Sequence, residues 1–117
     1  DLLVSLGRET FFDTFVGTCS DEDMALFLAE SFAPDKVAQE LAAPKSDFFL
    51  AVGPTGEILG YARLFAGDPP PDFVPGRPAI ELVRFYLRRS AIGQGIASPL
   101  MEHCLAFARQ HAYASIY

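Results

Sequence analysis

A chain of 117 residues with half of them in the hydrophobic set is long enough to enclose one core and too short for two ordinary domains. Nine basic against fifteen acidic side chains leave a formal charge of −6, a field that repels nucleic acid and anionic membranes and gathers small cations. Cys19 and Cys104 lie far apart with no C-x-x-C pair, which argues against a zinc site or a dense disulfide framework and favours a reducing, cytoplasmic setting.

No apolar run approaches the ~20 residues that span a bilayer, and the first residues lack the charged-then-apolar layout of a signal peptide. The mean hydropathy of +0.22 is high for a free-standing domain of this charge. Either a partner subunit covers apolar surface, which favours a homodimer, or part of the natural domain is missing from this chain.

In chain order, "DLLVSLGRETFFDTF" places Leu3, Leu6, Phe11 or Phe12, and Phe15 near helical spacing and predicts an amphipathic first helix. Ser20 is a good N-cap for "DEDMALFLAESF", whose leading acids suit the positive helix end. Pro34 starts a short third helix carrying Val37 and Leu41, and Pro44 stops it. The period then changes: "DFFLAVG" and "EILGYARLFAG" flank "PTG" and predict an antiparallel hairpin. Five prolines between Pro69 and Pro78 forbid regular structure and make a stiff loop. "AIELVRFYL" reads as a strand, "RRSAIGQG" as a turn, and "IASPLMEHCLAFARQHA" as a helix with Ile96, Leu100, Cys104 and Ala108 on one stripe. "ASIY" opens one more strand.

A strand, a Gly-x-Gly turn and a helix form an arrangement in which backbone N–H groups and a helix dipole converge on an anion. Two phosphate folds are argued against. A Walker loop needs Lys and then Ser or Thr, but Gly95 is followed by Ile96 and Ala97. The dinucleotide fingerprint needs a third glycine where Ser98 stands, and an acidic residue about 20 positions on.

The segment "ELVRFYLRRSAIGQGIASPLM" resembles the core of the GNAT N-acetyltransferase family. The family motif, Gln or Arg-x-x-Gly-x-Gly or Ala, aligns with Ile92, Gly93, Gln94, Gly95, Ile96 and Ala97; both small positions match, and Ile92 replaces the usual Gln or Arg. Within the family, "ETFFDTF", "ESFAPDKVAQEL", "DFFLAV" and "IELVRFYL" are most similar to the bacterial polyamine N-acetyltransferases.

The resemblance implies an α/β (α+β) fold with a mixed, mostly antiparallel sheet flanked by helices. It implies a single domain over residues 1–117 that is partial, without the family's usual first strand and its C-terminal helix and strands. It implies acetyl-CoA as co-substrate and no metal. The acceptor it implies is the primary amine of a small molecule, with polyamines the candidate class. The coenzyme would lie along Phe85, Tyr86, Leu87 and Arg88 and on the turn Ile92, Gly93, Gln94, Gly95, Ile96, Ala97 and Ser98. A main-chain N–H near Leu87 would polarise the thioester carbonyl.

An amine that attacks a thioester must lose a proton, and Glu81, early in the same strand, is the leading candidate base. The plain alternative is that Glu81 pairs with Arg63 or Arg84 across the sheet. Arg88 and Arg89 suit phosphates, or simply end a strand in solvent. The family's general acid, commonly a tyrosine, lies beyond Tyr117, and Tyr86 and Tyr117 read as sheet packing. Cys104, on the apolar helix stripe, reads as an inert thiol. His103 and His111 share no ligand geometry with an acid. Two other readings stay open: a non-catalytic acyl-CoA-binding regulatory module, and an inactive fragment of such an enzyme.

Overall fold

The structure, a computed structural model, describes residues 2–117. Three helices come first: α1 (Leu2–Phe15), α2 (Asp21–Ser31) and α3 (Pro34–Ala42). A hairpin follows, β1 (Ser46–Val52) and β2 (Ile58–Phe65), then β3 (Ala79–Leu87), a 3-10 turn (Arg89–Ala91), α4 (Ala97–Gln110) and β4 (Ser115–Ile116). The strands form one sheet in the order β1-β2-β3-β4; the first three are antiparallel neighbours, and β4 runs parallel to β3.

Local chemistry explains the boundaries. The Ser20 hydroxyl accepts the Asp23 N–H at 3.1 Å and closes the start of α2, while Asp21, Glu22 and Asp23 sit at its positive end. Pro34 occupies the first turn of α3, where a missing N–H costs nothing. In the β1–β2 turn, Gly56 takes a positive φ of 87°, and the Gly53 N–H reaches the Glu57 carbonyl at 2.7 Å.

The sheet lies between two helical layers. Leu100, Cys104 and Ala108 of α4 pack on Ala62, Leu64 and Ile80 to make the main core, which bears out three of the four predicted stripe positions; Ile96 falls just before the helix, at its N-cap, and is only half-buried. On the opposite face, Val4, Phe32 and Val37 form a second cluster within the α1–α3 layer. The sequence reading of α1 shifts slightly there: Val4, Leu6, Gly7 and Thr10 are its buried residues, and Phe12 is exposed. Thr10 tolerates this burial because its hydroxyl donates to the Leu6 carbonyl at 2.8 Å. In α2 only Met24 is buried, and Leu41 of α3 is exposed.

One irregularity in β3 decides where its side chains point. The register with β2 pairs Arg63 with Arg84 but Leu64 with Leu82, so Val83 is an extra residue, a β-bulge. Leu82 and Phe85 consequently both face α4, as do Ile80 and Leu87. Arg84 and Tyr86 face the α1–α3 layer, where Arg84 meets Glu40 and Tyr86 meets Phe11. Alternation places Glu81 on that same helical face.

Candidate functional site

The bulge also re-aims the main chain of β3. The Arg88 N–H bonds to the Leu59 carbonyl of the β2 side at 2.8 Å, and Tyr86 stands directly opposite Tyr61. By alternation, the N–H and C=O groups of Phe85 and Leu87 point the other way, to the β4 side. On that side β4 pairs with β3 only at Ala79 and Ile80, and the Leu82 N–H reaches the Tyr117 carbonyl at 2.7 Å. Among the described residues no strand pairs with Phe85 or Leu87 on this side. Buried main-chain polar groups need partners, and an extended ligand with amides is one chemistry that supplies them.

Beyond Leu87 the chain enters the glycine turn. Gly93 and Gly95 have φ of 83° and 78°, conformations that cost an L-residue roughly 1–2 kcal/mol. A Cβ at either position would meet nothing within 4 Å, so the backbone's conformation, not crowding, asks for glycine there. The loop is held from behind: the Gln94 N–H bonds to the Ala91 carbonyl at 3.3 Å, and the Gln94 side chain donates to the Ser90 carbonyl at 2.8 Å. The N–H groups of Gly93, Gly95, Ile96, Ala97 and Ser98 donate to no partner among the described residues, and α4 starts with no side-chain cap. Several free donors at the positive end of a 14-residue helix suit a pyrophosphate. Ile92 is 65 % exposed, so its side chain takes no room from an anion on the main chain. Pro99 in the first turn of α4 removes a donor that the helix would not have used.

Arg88, the side chain expected near a phosphate, turns to α1 and pairs with Glu9 at 3.4 Å. Its buried Nε has no protein partner. Arg89 is exposed at the start of the 3-10 turn.

On the helical face of the sheet, Arg84 grips Glu40 of α3 with two hydrogen bonds of 2.7 and 3.0 Å. Arg63 approaches the same carboxylate at 3.9 Å, donates from Nε to the Ser46 hydroxyl at 3.1 Å, and lies over the Phe48 and Phe65 rings. Burial lowers the pKa of the Arg63 guanidinium from its usual value, with the Glu40 charge opposing the shift. For Arg84 burial acts the same way, but the Glu40 hydrogen bonds and charge outweigh it and the pKa rises.

Both arginines are thus committed to Glu40, and neither forms a salt bridge with Glu81. Glu81 stands opposite Phe65, half-buried, and its side chain makes no hydrogen bond or ion pair among the described residues. Glu40 is the charged residue that sequence reasoning missed. It lies 44 positions from Arg84, so no local pattern signals the pair.

Tyr61 is fully buried beside Tyr86; burial pushes its hydroxyl up to about 12 against the opposing effect of nearby Arg84, and the hydroxyl makes no hydrogen bond of good geometry. Burial also raises Cys104, on the face of α4 that packs against the sheet, which leaves it a poor nucleophile. Among the described residues no cluster of His, Cys, Asp or Glu is arranged to hold a metal ion. None of the described helices is long and apolar enough to cross a membrane.

Residues 8–117 match the family description "Acetyltransferase (GNAT) family". The chain belongs to that family. It is 38% identical over 99 residues to an uncharacterized N-acetyltransferase in the pepI 3′ region of Lactobacillus delbrueckii subsp. lactis, a match covering 85% of this chain and 56% of the relative. The fold is shared with the PaiA N-acetyltransferase of Thermoplasma acidophilum solved in complex with coenzyme A, at a TM-score of 0.73 and 18% identity over 93% of this chain and 65% of that one. It is shared also with a Corynebacterium glutamicum protein described as histone acetyltransferase HPA2 and related acetyltransferase, at a TM-score of 0.67 and 24% identity over 92% of this chain and 65% of that one. The chain therefore spans between about half and two thirds of the length of these relatives.

Proposed function

We propose that the protein transfers an acetyl group from acetyl-CoA to the primary amine of a small molecule, by direct attack within a ternary complex. The observation that carries this reading is the continuity of unsatisfied main-chain groups, from Phe85 and Leu87 into the positive-φ turn at Gly93 and Gly95. Family membership and the coenzyme A complex of the Thermoplasma relative support it.

The residues present fit the coenzyme. The turn from Gly93 to Ser98 would hold the pyrophosphate through backbone N–H groups and the α4 dipole. Phe85 and Leu87 would pair with the pantetheine amides and polarise the thioester oxygen. Acetyl-CoA supplies an activated acyl group. Glu81, free of any arginine partner, takes the proton from the acceptor ammonium directly or through water. Tyr86 is engaged with the rings of Phe11 and Tyr61 and keeps a packing role.

The excess of acidic side chains favours cationic acceptors, with polyamines the candidate class, and the exposed Leu26, Leu50 and Val52 favour a homodimer. The test is Glu81→Gln assayed against a panel of amines. We expect kcat to fall by about 100-fold or more with coenzyme affinity unchanged. An unchanged kcat removes Glu81 from the mechanism, and coenzyme binding without turnover on any amine makes the protein a regulatory module.

A further inference from the structure

In the layer over the helical face of the sheet, α1 and α2 border an open pocket of about 260 Å³ whose walls include Phe11, Phe15, Phe27 and Asp23. The rings form one cluster: the Phe11 centroid lies 4.5 Å from that of Phe15 and 4.4 Å from that of Phe27. Phe11 also meets Tyr86 edge-on at 6.5 Å. Tyr86 immediately precedes Leu87, the residue assigned to the thioester oxygen. The ring cluster thus runs from the pocket to the face of β3 that Glu81 shares.

Asp23 gives this apolar wall a charge. Its side chain is exposed and makes no hydrogen bond or ion pair among the described residues; its main-chain N–H alone is used, in the Ser20 cap. The surroundings have the same sign. Between Glu9 and Asp35 the chain carries seven acidic side chains and no lysine or arginine, whereas the whole chain has a formal charge of −6. The excess of negative charge therefore lies on this half of the helical layer, and the rest of the chain is close to neutral.

Aromatic faces bury methylene groups and attract a cation, and a carboxylate among them fixes where that cation sits. The cation cannot be the reacting nitrogen, which must shed its charge beside Glu81 before it attacks. We propose that the pocket holds a second, non-reacting ammonium of the acceptor at Asp23, with an apolar spacer laid over Phe11, Phe15 and Phe27 and the reacting amine delivered past Tyr86 to β3. The acceptor class is then a diamine or a longer amine of that kind, and Asp23 determines specificity. This rests on the reading of β3 as the place of acetyl transfer. A monoamine of equal length reaches β3 but leaves Asp23 without a partner.

Binding is measured without coenzyme by proton NMR of cadaverine and of pentylamine, which has the same five-carbon chain and a single ammonium. Ring currents move the methylene resonances upfield as the chain lies over the phenylalanines. Cadaverine is expected to bind saturably and about fivefold more tightly than pentylamine, and Asp23→Asn to remove most of that difference. Phe27→Ala should weaken cadaverine by about threefold. Asp21 carries the same charge two residues away but lines a neighbouring pocket, so Asp21→Asn should keep the preference for cadaverine. All three side chains are exposed, and their replacement leaves the core intact.

No saturable upfield shift, as would follow if a second copy of the chain filled the pocket, overturns the proposal. So does equal affinity for the two amines, or an Asp21→Asn effect as large as that of Asp23→Asn, which would mean a diffuse field and no site. Turnover is followed in parallel as the ratio of kcat/KM for cadaverine to that for pentylamine, which should fall about fivefold in Asp23→Asn. Selective, Asp23-dependent binding with no acetylation of any amine contradicts the proposed reaction alone. Acetylation of both amines with equal kcat/KM and no dependence on Asp23 contradicts this inference alone.

Discussion

The two faces of the sheet differ in kind. Toward α4 the sheet presents Ala62, Leu64, Ile80, Leu82, Phe85 and Leu87, and the helix answers with Leu100, Cys104 and Ala108. Toward α1–α3 it presents Tyr61, Arg63, Arg84 and Tyr86, answered by Glu40, Phe11 and Phe32. The first face stabilises by removing apolar surface from water. The second buries charge and hydroxyl groups, which cost free energy unless matched. A fold gains little stability from such a face, so its chemistry is better explained by what it does for β3, the strand between the two layers.

Substitutions that separate these roles should differ in size. The largest loss is expected on the apolar face, where Leu64→Ala removes a side chain with no exposure and should cost about 2–5 kcal/mol in denaturant unfolding. A loss below about 1 kcal/mol would mean that α4 is not the main stabilising contact.

On the charged face, Glu40→Ala strands two arginines and should cost about 2–3 kcal/mol, below the range for fully buried pairs because the partners are each 15% exposed. The triple change of Glu40, Arg63 and Arg84 to methionine should recover most of that loss. If the triple variant is the less stable of the two, the network stabilises outright and the contrast between the faces weakens.

Tyr61 gives the smallest effect at neutral pH and the clearest pH dependence. Its hydroxyl makes no hydrogen bond of good geometry, so Tyr61→Phe should change stability by less than about 1 kcal/mol. Folding raises its pKa from the ordinary value of about 10 to about 12; the folded state keeps a proton that the unfolded chain loses. Stability is therefore full below pH 10 and falls through the window from about 10 to about 12, by roughly 1.4 kcal/mol per pH unit. Chemical denaturation across that window should show a shallower fall in Tyr61→Phe; an unchanged slope would assign the alkaline loss to Tyr86 and Tyr117, which shift the same way.

Much of this architecture was legible because its signals are local. Ser20 and Pro34 mark helix starts, the "PTG" turn marks the hairpin, and the Leu100–Cys104–Ala108 stripe marks the docking face of α4. The glycine turn was legible as a candidate anion site for the same reason. The bulge at Val83 was not, because "ELVRFYL" carries no residue that requires one and only pairing with β2 exposes the extra position. Nor was the triad of Glu40, Arg63 and Arg84: Arg84 lies close to Glu81 in sequence and 44 positions from Glu40, yet it pairs with Glu40 because of where α3 docks. Sequence pattern reports which face a residue takes; it does not report which of two carboxylates an arginine will choose.

The central claim, that the chain from Phe85 to Ser98 is a cradle for acetyl-CoA, is tested most directly by calorimetric titration of the protein with acetyl-CoA, beside Gly95→Val. The account predicts saturable binding by the native protein and at least a tenfold weaker affinity in Gly95→Val, since a β-branched residue cannot take the φ of 78° that aims the turn's N–H groups. No heat and no thermal shift with the native protein across a wide concentration range, or equal affinity in the variant, would contradict it.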